Sequence, residues 1–334
     1  MNALLEIEGL RVRVPYEGRL REVVGRVDLS IADGESVGLV GESGSGKSMT
    51  ARAVLRLLPP GARVEGSVRF DGREVLRMSP SELRSYRANH AAMIFQDPRA
   101  HTNPLRTVGD FLTEGLRLNQ RLPKRAAEER ARELLRAVGI EDPEARLSQH
   151  PHELSGGLLQ RVMIAAALSA GPRLLLADEP SSALDVTTQA EVMAILAELR
   201  DRLDLAMLFI THDLELAAAT CDRTAVMYAG SIVEVQRSAD LHEHPLHPYT
   251  SGLVAARPSI DTRLRRLPVI PGRPVAAFQA PEGCAFAPRC RYALPRCTAE
   301  RPVLASLGRG VVACLRAEEL HPDGFAAHGG ADRG

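Results

Sequence analysis

An eight-residue segment constrains this chain most, because it lies between a short apolar strand and the start of a helix. It fits the pattern G-x-x-x-x-G-K-[S/T] and reads Gly41-Glu42-Ser43-Gly44-Ser45-Gly46-Lys47-Ser48. Glycines let the backbone wrap so that N–H groups and the positive end of the helix face an anion. The segment therefore predicts a loop that cradles the phosphates of a nucleotide. Lys47 would reach the β- and γ-phosphates, and the Ser48 hydroxyl would bind Mg²⁺.

Composition narrows the class of protein. The 42 basic residues balance 42 acidic ones, so the zero net charge gives no support to a nucleic-acid-binding role. No apolar run approaches the ~18 residues of a membrane-spanning helix. The first residues lack the basic and apolar regions of a signal peptide, so we expect a soluble, non-exported chain. Only Lys47 and Lys124 are lysines. Nearly all basic residues are arginines, so position 47 is a lysine either because a compact ammonium is needed there or by chance under mutational bias.

Strands and helices alternate along the first 237 residues, which predicts a mostly parallel sheet flanked by helices. Residues 4–14 alternate apolar and polar, as in a half-exposed strand. One helix is expected from Lys47 to Pro59, and another from Lys124 to Val138 with Gly139 as its C-cap. From Pro245 to Pro302 prolines recur, so long regular elements are not expected there.

Two carboxylates follow the apolar segment Leu174 to Ala177, which predicts a strand. At the carboxyl edge of a parallel sheet, Asp178 can bind Mg²⁺, and Glu179 can orient and polarise a water that attacks the γ-phosphate. Without a phosphate loop in the same chain, this pair would be interpreted as a solvated turn. Together the two motifs predict nucleotide hydrolysis.

A second anion site is predicted at Ser155, Gly156 and Gly157, where a helix begins. A helix N-cap alone would account for Ser155 but not for both glycines. The chain has two such sites but one phosphate loop. This mismatch is resolved if the second site serves the nucleotide of a partner subunit.

In this order, the motifs resemble those of the ATP-binding cassette ATPases, the nucleotide-binding subunits of membrane transporters. The resemblance runs from Leu4 to Tyr249 and also includes Gln96, the loop that contains Asp185, and Thr211-His212-Asp213. It implies an α/β fold, a P-loop ATPase domain with a mixed sheet core and a helical signature subdomain at about 98–170. The implied domains are a cassette at 1–250, a small Pro/Cys-rich C-terminal region at 251–320 and a disordered tail at 321–334.

The resemblance also implies a site completed by two subunits, which sandwich two ATP molecules head to tail. Glu179, His212 and Lys47 would be catalytic. The signature residues Ser155, Gly156 and Gly157 would act on the partner's nucleotide, and Asp185 would cross the interface. The implied ligands of Mg²⁺ are Ser48, Gln96 and Asp178. The implied ATP contacts are Gly41, Glu42, Ser43, Gly44, Ser45, Gly46, Lys47, Ser48, Met49 and Gln96.

Two positions depart from the family pattern. The fifth signature position, usually Gln or Met, is Leu158, which keeps the backbone anion site but removes a polar side chain. The aromatic residue that stacks on adenine is not obvious, because Val14 occupies the expected place and Tyr16 lies two residues further on.

The end of the chain resembles the oligopeptide/dipeptide importer branch, on the stretches His244 to Thr250 and Gly283 to Cys290. This branch implies a second ATPase subunit, either a paralogue or another copy, two membrane permeases and an extracytoplasmic peptide-binding protein. The chain would then be a peripheral protein on the cytoplasmic face of the membrane. One alternative is an importer of nickel or another small solute. Others are a soluble cassette ATPase that does not transport and a non-enzymatic iron–sulfur regulator.

Four cysteines follow the spacing C-x5-C-x6-C-x16-C, at Cys284, Cys290, Cys297 and Cys314. In a non-exported protein such a cluster suggests a metal before disulfides. Structural zinc favours tighter pairs, whereas a [4Fe–4S] cube tolerates varied spacing. Family members with this extension are similar in carrying such a cluster, so we expect [4Fe–4S], with Zn²⁺ as the alternative.

Overall fold

The computed structural model describes residues 3–256 and 268–321. The strands are β1 Ala3–Tyr16, β2 Arg19–Ala32, β3 Ser36–Val40, β4 Arg63–Phe70, β5 Arg73–Glu74, β6 Ala91–Ile94, β7 Leu174–Asp178, β8 Ala206–Thr211, β9 Arg223–Tyr228, β10 Ser231–Arg237, β11 Ala305–Leu307 and β12 Gly310–Val312. The α-helices are α1 Lys47–Val54, α2 Pro80–Asn89, α3 Val108–Leu118, α4 Lys124–Ala137, α5 Pro143–Ser148, α6 Gly156–Leu168, α7 Val186–Leu203, α8 Leu214–Thr220, α9 Ser238–Glu243, α10 Pro248–Ala255, α11 Pro295–Ala299 and α12 Ala317–Leu320.

The chain forms two compact units. Among the described residues, the phosphate-loop unit comprises 5–30, 36–73, 210–256 and 268–321, and the helical unit comprises 3–4, 31–35 and 74–209. Within the described residues, no helix combines the length and the apolar character that crossing a membrane requires. Apart from residue 321, the tail predicted at 321–334 lies outside the described residues.

The sheet of the phosphate-loop unit has the strand order β4-β1-β2-β10-β9-β3. β1 pairs with β4 and β9 with β10 in antiparallel fashion, whereas β3 pairs with β9 in parallel. The expectation of a mostly parallel sheet is therefore wrong, and the mixed sheet implied by the family resemblance is observed. β9 and β10 are consecutive strands joined by a short turn, which makes them antiparallel, whereas β1 and β4 pair although β2, β3 and α1 lie between them in the chain.

A bulge explains the side-chain pattern of β1. Leu5 and Ile7 are buried at odd positions, but Leu10 and Val12 are buried at even ones. The register against β4 shifts between Glu8 and Arg11, and Gly9 at this point has φ +57°. One inserted residue moves the following side chains to the opposite parity, so one face of the strand stays in the core.

In the helical unit, β6 and β7 are parallel and β7 neighbours β8. Helices α3, α4, α5 and α6 lie within the region predicted to be helical. The predicted helix from Lys124 is confirmed, and Gly139 after it has the left-handed φ of +71° expected of a C-cap. Helix α2 was not predicted, although Ser79 and Glu82 form a capping box at its start.

Within its described residues, 251–256 and 268–320, the C-terminal region has no long regular elements, as its prolines predict. Its hairpin β11–β12 adds to the sheet, with Val312 opposite Glu234 of β10. Its Phe286 joins a buried cluster with Tyr228 and Tyr249. The region therefore shares a core with the sheet of the phosphate-loop unit.

Candidate nucleotide site

The phosphate loop connects a fully buried strand to a helix. β3 ends at Val40, and α1 begins at Lys47, as predicted. The helix ends at Val54 rather than at Pro59, because the backbone leaves helical geometry at Leu55 and Arg56 has a left-handed φ of +52°. Only the phosphate loop separates the buried strand from α1, so the free N–H groups in the first turn of α1 lie at the end of that loop.

Two glycines in the loop are required by close packing. A Cβ at Gly41 would overlap the carbonyl oxygen of Met227. Gly46 has φ +105°, and a Cβ there would lie 2.7 Å from the carbonyl oxygen of Val23. Neither position accepts a side chain, so both glycines serve backbone conformation and space.

Lys47 is held across its own loop. Its side chain is buried, and its Nζ donates to the carbonyl oxygens of Gly41 at 2.7 Å and Glu42 at 3.1 Å. Buried beside it, the Ser45 hydroxyl has no hydrogen-bond partner among the described residues. Ser43 and Gly44 form the exposed tip of the loop. The arrangement places an ammonium and a spare hydroxyl where the sequence predicts phosphates.

The His-Pro-Tyr stretch supports the loop from outside. Burial lowers the pKa of His247 to about 3, so the neutral ring uses Nδ1 to accept the backbone N–H of Tyr249 at 3.0 Å. Pro248 begins α10, and the Tyr249 hydroxyl accepts the Glu42 N–H at 3.0 Å. Burial raises the pKa of Tyr249, which keeps the phenol protonated. These contacts give the stretch a structural role that its sequence did not reveal.

His212 follows β8 at an exposed position. The next residue, Asp213, caps α8 by accepting the N–H groups of Glu215 and Leu216 at 2.8 and 3.2 Å. The cap ends the strand sharply and leaves His212 between two regular elements. Short connections that directly follow a strand often carry functional residues.

The helical unit brings Gln96 and Glu179 together. Asp178 is the buried last residue of β7, and Glu179 follows it with φ +46°, a conformation uncommon for residues other than glycine. The Gln96 Nε2 donates to Glu179 Oε2 at 3.0 Å. The amide therefore orients the carboxylate that sequence analysis assigned to water activation.

The signature residues contact the loop that contains Asp185. Ser155 caps α6, and its hydroxyl accepts the Leu158 N–H at 3.3 Å. A Cβ at Gly157 would overlap the side chain of Thr188. Asp185 caps α7 by accepting the Thr188 N–H at 3.0 Å and its hydroxyl at 2.8 Å, and these bonds lower the pKa of Asp185. Thr188, which was not predicted, joins the two helix N-termini.

The ring of Tyr16, at the end of β1, is 54% exposed. The Arg21 guanidinium lies 4.5 Å from the Tyr16 ring centroid and 4.7 Å from that of Phe278. Tyr16 is thus an accessible aromatic side chain, whereas Val14 offers no ring. Whether Tyr16 stacks on adenine stays a prediction.

The four C-terminal cysteines line one pocket, together with His247 and Phe286. The described residues contain no group of three or more His, Cys, Asp or Glu side chains placed to hold a metal ion, which supports neither the expected [4Fe–4S] cluster nor the zinc alternative. The free volume is about 20 Å³, close to that of one water molecule. Burial raises the thiol pKa values of Cys284 and Cys290, and that of Cys314 to about 11.

A phosphate loop between a strand of a mixed sheet and a helix, a Gln–Glu pair, and a second helix that begins with two glycines are together the features of a nucleotide-binding cassette. A family model described as ABC transporter matches residues 24–182, and one described as oligopeptide/dipeptide transporter, C-terminal region, matches residues 233–297. The chain belongs to the ATPases of ABC transporters of the oligopeptide/dipeptide importer type.

Its relatives match along nearly their whole length. The chain is 42% identical to the oligopeptide transport ATP-binding protein OppD of Salmonella typhimurium, over 96% of each chain. It is 44% identical to a probable peptide ABC transporter ATP-binding protein, y4tR, of Sinorhizobium fredii, over 95% of this chain and 96% of the other. Among solved structures, a dimer of the ATP-binding cassette MJ0796 bound to ADP and phosphate matches with a TM-score of 0.63 and 28% identity, covering 70% of this chain and 98% of that one.

Proposed function

We propose that this chain is the ATP-hydrolysing subunit that energises peptide uptake, bound peripherally at the cytoplasmic face of the membrane. The observation that carries the proposal is the combination of an intact phosphate loop with a C-terminal region of the oligopeptide/dipeptide type. The names of OppD and y4tR support peptides as the cargo class. The cassette would occupy residues 1–250, with a helical subdomain at 98–170, and the C-terminal region residues 251–320.

Each proposed site residue would have its own role in ATP hydrolysis. Lys47 and the backbone of the phosphate loop would bind the β- and γ-phosphates, with His212 against the γ-phosphate. Glu179 would accept a proton from the attacking water, while Gln96 holds one of its oxygens by the bond described above. The water oxygen would form a bond to the γ-phosphorus while the bond from that phosphorus to the oxygen bridging to the β-phosphate breaks. The products would be inorganic phosphate and ADP, which leaves with the negative charge on its β-phosphate.

Mg²⁺ fits the proposed site by the chemistry of its donors. The Ser48 hydroxyl, the Gln96 amide oxygen and the Asp178 carboxylate are oxygen ligands of the kind that this ion prefers. The ion would neutralise charge on the phosphates. Asp178 is buried at the end of β7, which holds its carboxylate in one place.

A second ATPase subunit would complete each site. Ser155, Gly156 and Gly157 open α6, and the first two are exposed, as expected for residues that face another chain's nucleotide. Asp185 would reach across the interface from its position at the start of α7. Two permeases and an extracytoplasmic peptide-binding protein would complete the importer.

We further propose a [4Fe–4S] cluster on Cys284, Cys290, Cys297 and Cys314. Four thiols around one pocket supply the number and type of ligands that this cluster uses. A cube exceeds the free volume of about 20 Å³, so the thiols would have to move apart. Binding would also displace their protons, because thiolates are the ligands. When bound, the cluster would cross-link a region that has short elements.

Replacing Glu179 tests the proposed function. Glu179→Gln is expected to reduce phosphate release by about 100-fold or more while an ATP-bound dimer accumulates, since the variant binds but lacks the base. Glu198→Gln, on the exposed face of α7, is the matched control and should hydrolyse ATP normally. Phosphate release and dimer mass by light scattering are the measurements.

The same variant tests the cargo. In cells that depend on this importer, Glu179→Gln should abolish uptake of a labelled peptide and leave nickel uptake unchanged. Loss of nickel uptake alone would favour the small-solute alternative. Hydrolysis retained by Glu179→Gln would remove this residue from the role of base.

A further inference from the structure

Arg289 of the C-terminal region is buried and forms an ion pair with the partly buried Glu42 of the phosphate loop. Its Nη1 donates to Glu42 Oε2 at 2.8 Å and its Nη2 to Glu42 Oε1 at 3.1 Å, a bidentate arrangement. The exposed fraction of the Arg289 side chain is 4%, and that of Glu42 is 24%. The partners are 247 residues apart in sequence.

The Arg289 guanidinium is also held by groups outside the phosphate loop. Its Nε donates to the carbonyl oxygen of Pro271 at 2.8 Å, and Nη1 also reaches the Tyr228 hydroxyl at 3.3 Å. Burial disfavours its charge, but the bonds to Glu42 and Tyr228 raise its pKa overall, so Arg289 stays charged. The region thus presents a rigid, permanently positive fork to one residue of the loop.

Glu42 is an unfavourable residue beside a triphosphate unless its charge is compensated. It is the second residue of the phosphate loop, and its carbonyl oxygen accepts the Lys47 ammonium. An uncompensated carboxylate here would repel the nucleotide and compete for the Lys47 charge. Arg289 supplies an opposite charge at hydrogen-bond distance, and Tyr249 fixes the Glu42 backbone from the other side.

We propose that Arg289 is a positioning residue for nucleotide binding, which neutralises Glu42 and holds its carboxylate away from the triphosphate. The ATP affinity of the phosphate loop then depends on the C-terminal region. This inference rests on the proposed assignment of residues 41–49 as the nucleotide loop.

The test uses the full-length chain in its assembled importer and measures KM and kcat for MgATP. Arg289→Ala should raise KM by roughly tenfold with a smaller change in kcat, because the loss acts on binding. Arg289→Lys should be intermediate, since it keeps the charge but not the fork. Arg291→Ala, at an exposed arginine two residues on, is the matched control and should leave KM unchanged.

The Glu42→Gln variant distinguishes neutralisation of the Glu42 charge from a purely structural role of the Arg289 contact. If Arg289 acts by neutralising the carboxylate, Glu42→Gln should leave KM unchanged or lower, and the double variant Arg289→Ala/Glu42→Gln should recover most of the loss. The defect of Arg289→Ala should also shrink as ionic strength rises. A purely structural contact would instead make Glu42→Gln as defective as Arg289→Ala, at every salt concentration.

Three outcomes overturn the inference. One is an unchanged KM in Arg289→Ala, another is a double variant no better than Arg289→Ala, and the third is a raised KM in Glu42→Gln. If Arg289→Ala does not fold, Arg289→Lys and Glu42→Gln still decide the matter. Lys47→Ala separates failure of the proposed function from failure of this inference. If Lys47→Ala binds MgATP normally, the assignment of the nucleotide loop is wrong. If Lys47→Ala is defective but the Arg289 variants are normal, only the inference about Arg289 fails.

Discussion

The phosphate loop and the C-terminal region belong to one compact unit, but the loop is held mainly by contacts between neighbours in sequence and the C-terminal region by contacts with distant residues. In the loop, eight consecutive residues create the site, and Lys47 bonds to carbonyl oxygens five and six residues away. In the C-terminal region, short elements are held by distant partners, such as Arg289 on Glu42 and β12 on β10. The comparison teaches that a local motif can depend on a region whose own sequence shows no local order.

The largest expected effect tests the local side of this comparison. Lys47→Ala should lower ATP hydrolysis by about 100-fold or more, because no other lysine is near in sequence to compensate the phosphates. Lys124→Ala is the control: it removes the chain's only other lysine, whose side chain is 77% exposed. Phosphate release measures both variants. Equal activities would mean that the loop does not bind the triphosphate.

A smaller effect is expected when the C-terminal region loses one of the cysteines proposed to bind the [4Fe–4S] cluster. Anaerobically purified protein should show broad absorbance near ~400 nm, and Cys314→Ser should lose it together with thermal stability. Cys221→Ser removes a buried cysteine outside the pocket and should keep the absorbance. A colourless wild-type protein would contradict the cluster and leave the region to be held by Arg289 and its neighbours.

The smallest effect concerns the hydrogen bond by which Tyr249, on α10, supports the phosphate loop. Tyr249→Phe keeps the buried ring but leaves the Glu42 N–H without its acceptor. We expect the binding free energy of MgATP to become less favourable by about 1 kcal/mol, which is equivalent to roughly a fivefold rise in KM. Tyr292→Phe serves as the control, because its hydroxyl accepts a hydrogen bond from the exposed Arg291. An unchanged KM in Tyr249→Phe would show that the loop is positioned without this bond.

Elements with local signals were predicted well. The alternation of Leu5 and Ile7 predicted β1, and Gly139 marked the end of α4. The bulge that changes the parity of β1 was not predicted, because it is defined by the pairing with β4. Helix α2 was overlooked despite its capping box, which shows that an available signal was not used.

The candidate site divides in the same way. Lys47, Asp178 and Glu179 were recognisable because each lies at a strand end or helix start within a short motif. Arg289 carried no such mark among the eleven arginines from Arg257 to Arg316. The contact between Gln96 and Glu179 joins residues 83 apart, so only the folded chain reveals which amide orients the carboxylate.

By itself the sequence determined the phosphate loop, the carboxylate pair and the helix that begins with two glycines, because dihedral freedom, helix dipoles and strand periodicity act over a few residues. Only the tertiary structure decided the mixed pairing of the sheet, the gathering of four cysteines around one pocket and the pairing of Arg289 with Glu42. These features depend on which distant surfaces meet when apolar side chains are buried, and no short stretch of sequence encodes that choice.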